Sequence, residues 1–145
     1  MKNISKVIAV FLFFTFFLYQ GCESNHEKPE SEHPVVVEEI EGTDLSTVTL
    51  TEKAIERIGL ETAVVSEVNN SPKKLVIPYS SIIYDRNGVA WVYKSLKTRT
   101  FVRHKIDVDF IKGNNAFLND GPLKGTVIAT VGVAELYGSE FKIGH

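Results

Sequence analysis

Short blocks of apolar residues, many alternating with polar ones, recur along the chain and are separated by glycine, proline and asparagine clusters. Thr47-Val48-Thr49-Leu50 reads as a short strand. A helix follows from Glu52 to Ile58. Thr51 is placed to cap it, Glu52 and Glu56 favour the positive end of its dipole, and Leu50 and Ile55 stand at staple positions. Gly59 supplies the left-handed stop. Leu60 to Val68 is a strand with partial alternation, Asn69 to Pro72 a turn, and Lys73 to Ile77 the next strand.

The centre of the pattern is Ile77 to Lys94. Pro78 fixes its own φ and biases Ile77 toward extended backbone, so the strand ends and bends there. Ile82-Ile83-Tyr84 and Val89 to Tyr93 then flank Asp85-Arg86-Asn87-Gly88. A four-residue turn with a left-handed Gly88 pairs Ile83 with Trp91 and Ile82 with Val92. A tighter Asn87-Gly88 turn pairs Tyr84 with Trp91. Both registers make a hairpin. Trp91 is the only tryptophan, and its burial is expected to contribute a few kcal/mol.

Beyond it, Ser95 to Thr98 returns the chain. Phe101 to Phe110 reads as a strand whose Ile106, Val108 and Phe110 share one face. Lys112 to Asn115 is a turn, Ala116 to Leu118 a strand, Asp120 to Gly125 a connection and Thr126 to Val131 an apolar strand. Gly132 to Gly138 closes the chain as a helical turn. The pattern predicts a mainly β fold over 46–145, a small barrel or sandwich with one short helix near its start.

Ahead of this domain, Glu23 to Asp44 is acidic and broken only by Val35-Val36-Val37 and Ile40. Such a stretch buries too little surface to offset its ordering entropy, so 22–45 is expected to be a flexible, solvated tether. At the N-terminus, Lys2 and Lys6 precede an apolar run from Val7 to Leu18, short for a bilayer span and flanked like a secretory signal. Leu18-Tyr19-Gln20-Gly21-Cys22 follows and resembles a bacterial lipoprotein signal. The resemblance implies a signal peptide over 1–21 and a lipid on Cys22, the only cysteine. Left uncleaved, the same segment would be an N-terminal anchor. Several acyl chains, at about 0.8 kcal/mol per buried methylene, hold such a protein stably on a membrane. The implied location is the cell envelope, facing the periplasm.

A net charge of −2 and the absence of a basic patch interleaved with aromatics argue against nucleic-acid binding. Metal binding also lacks a ligand set. His26, His33, His104 and His145 have no pair at ligand spacing, and Met1, the only methionine, goes with the signal. His26 and His33 could at most hold a metal loosely in the tether, and His104 reads as an exposed strand residue. Ser80-Ser81 has no base nearby in sequence and is expected to close a turn by side-chain hydrogen bonds. No phosphate-cradling glycine loop exists, since Gly132, Gly138 and Gly144 are spread apart. The chain reads as non-enzymatic and without a cofactor. Lys97, Arg99, Arg103 and Lys105 form a basic run, either a solvated strand face or a docking surface for an acidic partner or lipid head groups.

Two blocks resemble the periplasmic adaptor subunits (membrane fusion proteins) of RND-type efflux pumps, in particular the metal-efflux branch. VTLTEKAIERIGLETAVV, Val48 to Val65, is similar to the segment entering the family's β-barrel domain. LVIPYSSIIYDRNGVAWVYK, Leu75 to Lys94, continues through Phe101 to ATVGVAELYGSEFKIGH and is similar to the membrane-proximal domain. About two-thirds of the chain is covered. A full adaptor carries a lipoyl-like domain and a helical hairpin between these blocks. Here only Ser66 to Lys74 intervenes, without a heptad pattern. Gly121-Pro122-Leu123 also departs from the family's glycine-leucine turn. The resemblance implies a lipid-anchored accessory protein that docks to an RND pump or full-length adaptor. The alternatives are a free-standing envelope lipoprotein that binds a small ligand or another envelope protein, and a periplasmic metal chaperone.

Overall fold

The fold begins earlier than the acidic composition predicts. In a computed structural model that describes residues 33–68 and 73–143, β1 (Val35–Glu39) pairs antiparallel with β2 (Ser46–Leu50). The tether expected over 22–45 therefore gives way to ordered structure by Val35. Val35 and Val37 lie opposite Leu50 and Val48 and pack against the same core, and this non-local pairing outweighs the local acidity. The signal segment, Cys22, His26, Gly144 and His145 lie outside the described residues.

Helix α1 (Glu52–Ile58) starts as its sequence dictates. The Thr51 Oγ1 accepts from the Ala54 N–H at 3.2 Å, and Gly59 takes φ 61° at the other end. The stretch read as one strand from Leu60 to Val68 is two, β3 (Glu61–Val64) and β4 (Ser66–Val68), broken at Val65. β5 (Lys74–Pro78) ends at its proline and leads through a 3-10 turn (Tyr79–Ser81) into β6 (Ile83–Tyr84) and β7 (Ala90–Lys97). The expected strand from Phe101 to Phe110 likewise splits at Ile106 into β8 (Thr100–Lys105) and β9 (Asp107–Lys112). β10 (Asn115–Asp120), β11 (Val127–Val131) and α2 (Val133–Glu140) complete the chain.

The described strands form two antiparallel sheets, ordered β1-β2-β8-β7-β11-β3, with β6 beside β7, and β4-β5-β10-β9. The breaks at Val65 and Ile106 are where the chain crosses from one sheet to the other. The pairings thereby run in a closed circuit: β11 to β3, through Val65 to β4, β5, β10 and β9, and back through Ile106 to β8, β7 and β11. Both corner residues point apolar side chains into the space so enclosed, at 1% and 4% exposure. Their amides are bonded, Val65 N–H to the Thr126 carbonyl and Ile106 N–H to the Ala90 carbonyl.

The enclosed core is built from Val65, Ile77, Val92, Ile106, Ala116, Leu118 and Ile128. A second core lies on the other face of the larger sheet, where Val48, Tyr93, Phe101 and Ala129 meet Ala54 of α1 and Val133 and Leu136 of α2. Neighbours Val92 and Tyr93, and Ile128 and Ala129, thus serve opposite cores. Burial on both faces explains why β7 and β11 lack polar alternation. The chain is mainly β, with a helical layer over one sheet.

Gly132 joins β11 to α2 at φ 81°, and a Cβ there would meet Leu60 Cδ1 at 2.9 Å and Ile58 Cδ1 at 3.1 Å. Gly132→Ala is expected to cost about 1–3 kcal/mol from the backbone conformation alone. Gly138, inside α2, has room for a side chain: beyond the helix's own backbone, a Cβ would come no closer than 3.7 Å, to the Ile143 carbonyl oxygen. Gly138→Ala should therefore stabilise by about 0.5–1 kcal/mol through helix propensity. Urea midpoints of the two variants check this opposition.

Candidate functional site

The central hairpin adopts the wider register, with Ile83 opposite Trp91 and Tyr84 opposite Ala90. Asp85 decides it. Its Oδ1 accepts from the Asn87 N–H at 2.8 Å and the Val89 N–H at 2.9 Å, while Gly88 turns at φ 77°. The Trp91 Nε1–H donates to Asp85 Oδ2 at 3.1 Å. These bonds, led by the one from Val89, hold the Asp85 carboxyl below the usual carboxylate range. Ile82 does not extend the ladder to Val92; both side chains pack into the enclosed core instead. Trp91 is half-buried rather than buried, because its ring covers an arginine.

That arginine is Arg103, and it overturns the expected basic surface. Arg103 lies opposite Tyr93 on the core face of β8 and is 5% exposed. Its Nε–H donates to Glu140 Oε1 at 2.8 Å and its Nη2–H to the Asp44 carbonyl at 2.9 Å. Its guanidinium carbon stands 4.4 Å from the centroid of Trp91 and 4.9 Å from that of Phe141. The Tyr93 hydroxyl donates to the other Glu140 oxygen, and burial together with that carboxylate pushes the phenol far above its ordinary value. The network ties the end of α2 and the β1–β2 turn to the sheet. Arg103 is unavailable for docking.

The rest of the basic run divides by position. Lys97 and Arg99 are exposed at the β7–β8 tip, and Lys105 is exposed at the far end of β8. The strand register therefore separates what the sequence places in one patch. Arg99 occupies the left-handed region at φ 62°, which costs a non-glycine residue about 1–3 kcal/mol. Its carbonyl accepts from the Leu50 N–H at 2.9 Å, so the turn is tied to the end of β2. Arg99→Gly is expected to raise stability by about 1 kcal/mol, read as a higher urea midpoint at unchanged m-value. A turn residue that costs stability points to a use for its charge.

Two further expectations are corrected. His104 is half-buried, not exposed, and burial together with Lys94 lowers its pKa. Ser81 makes no turn-closing bond; it is fully buried and its Oγ has no partner. Its neighbour Ser80 is exposed. Among the described residues no three His, Cys, Asp or Glu side chains are grouped to hold a metal ion. No described helix is long and apolar enough to cross a membrane.

Glu140 escaped the sequence reading, yet its signal is there. Val133, Leu136, Tyr137 and Glu140 follow the spacing of one helix face, which puts a carboxylate on the core side and demands a cationic partner. A cleft of about 500 Å³ between β1, α1 and α2 is lined by Pro34, Val35, Ile58, Ala134 and Ile143, with Arg57 and Glu135 also in its wall. On the outer face of the smaller sheet, Phe110 stacks on Phe117 with centroids 4.4 Å apart. Three surface features of the described residues are thus open to contact: the basic tip, the apolar cleft and the aromatic stack. No known protein family, curated protein or solved structure matches the chain.

Proposed function

We propose that this chain is a lipid-anchored, adaptor-like accessory protein of an RND-type efflux system. It is held at the cell envelope through Cys22 and docks to an inner-membrane pump or a full-length adaptor. The observation that carries this reading is how the two adaptor-like blocks associate. β3 and β2 of the first block pair with β11 and β8 of the second, so both belong to one sheet. Where a full adaptor inserts its lipoyl domain and helical hairpin, the sequence here runs only from Ser66 to Lys74, and among its described residues β4 pairs with the start of β5. Such a protein keeps the β-module and omits the part that reaches outward. It acts by docking, with no bond chemistry, and metal ions are the cargo class that the resemblance suggests.

Affinity capture of the full chain from membranes in mild detergent tests the proposal. Co-purification of an RND transporter or adaptor is expected; capture of the lipoprotein with neither would overturn it. The aromatic stack favours a second reading, a free-standing lipoprotein that binds another envelope protein, because Phe110 is 45% exposed where it stacks on Phe117. Under that reading a non-transport partner is captured and is lost with Phe110→Ser.

A further inference from the structure

The strand register gathers several exposed groups at one end of the larger sheet. Val35 pairs with Leu50, and Thr49 with Thr100, so the chain enters β1 from Pro34 at the same end as the β7–β8 tip. Ile128 pairs antiparallel with Lys94, so β11 begins where β7 finishes, and the β10–β11 connection belongs to that end too. Leu96 and Leu123 are 53% and 81% exposed there. Lys97, Arg99, Lys124 and, at the start of α1, Lys53 are exposed at this end, against the acids Glu52 and Glu56, which line one groove with Lys53 and Arg99. The acidic β1–β2 turn, with Glu39 and Glu41, lies at the opposite end.

We infer that this end is a landing surface for a bilayer bearing anionic phospholipid head groups. Leu96 and Leu123 enter the interfacial zone while Lys97, Arg99 and Lys124 meet phosphate. The place where the chain leaves the domain selects this occupant. The described chain enters the domain at this end, so an anchor on Cys22 would be joined to the domain here and would favour this end as the one presented to the membrane. Leucines flanked by lysine and arginine match the boundary between acyl chains and head groups. The strained Arg99 then keeps a cation at the tip where glycine would suit the backbone better. The inference rests on the anchoring proposed above, but not on the pump.

The test uses the full chain, extracted from membranes, carrying Leu123→Cys labelled with a polarity-sensitive fluorophore. It is reconstituted into phosphatidylcholine vesicles with or without phosphatidylglycerol. Flotation reads the anchoring and probe emission reads the contact. The expected result is flotation with both vesicles and a blue shift only where phosphatidylglycerol is present. That shift should be lost in high salt and in the Lys97→Glu, Arg99→Glu double variant. Failure to float with either vesicle would overturn the anchoring and this inference together. Flotation with equal emission from the two vesicles would overturn the head-group contact and leave the anchoring standing. No transporter is present, so neither outcome depends on pump docking.

Discussion

Arg103→Met is expected to destabilise the protein by about 3–5 kcal/mol, because it strands a buried carboxylate without its partner. Glu140 would keep only the Tyr93 hydroxyl, and the Asp44 carbonyl would lose its donor. Trp91 and Phe141 would lose the cation that they cover. Against total stabilities of about 5–15 kcal/mol for ordinary domains, this is close to unfolding. Adding Glu140→Leu should restore part of the loss: the uncompensated charge is removed, but the buried Tyr93 hydroxyl is left without its acceptor. The only tryptophan sits in this network, so urea titrations followed by its fluorescence report the site directly. A single variant within about 0.5 kcal/mol of the parent, the range of ordinary surface changes, would show that the pair is not buried as described.

Leu118→Ala is expected to cost about 2–5 kcal/mol. Leu118 is 1% exposed inside the strand circuit, where it packs with Ile77, Val92 and Ile106, and Gly121 approaches it so closely that a Cβ would come within 2.9 Å. The cavity left by truncation would be walled by strands from both sheets, which cannot collapse without breaking ladder bonds. Leu123→Ala, on the connection that follows β10 and 81% exposed, should change stability by no more than about 0.5 kcal/mol. That contrast, read from urea midpoints, separates the interior of the circuit from its rim. It also keeps position 123 free to report on the membrane.

Local chemistry was legible in the sequence wherever it alone decides the structure. Thr51 and Gly59 bound α1, and Pro78 ends β5. Asp85 and Gly88 define the central turn, though its register shows only in the fold because both candidate turns satisfy the same residues. What the sequence hid depends on distant partners. Val65 and Ile106 look like ordinary strand residues, yet each is a corner at which the chain changes sheets. Val35 and Val37 sit in acidic surroundings and are recruited by Val48 and Leu50. Arg103 shares its run with Lys97, Arg99 and Lys105 and differs from them only through Glu140, 37 residues away. Composition cannot distinguish a buried cation from an exposed one. The i, i+3, i+4, i+7 stripe of α2 could have, had Glu140 been read as part of the core face.

The claim on which the functional reading stands is that residues of both adaptor-like blocks make one cooperative β-unit despite the short connection. Amide hydrogen exchange on the full chain tests it most directly. The account predicts that amides of β3 and β2 share the protection of β11, β8 and β10 and lose it in the same unfolding event. Rapid exchange through 46–68, while 74–131 stays protected, would contradict it.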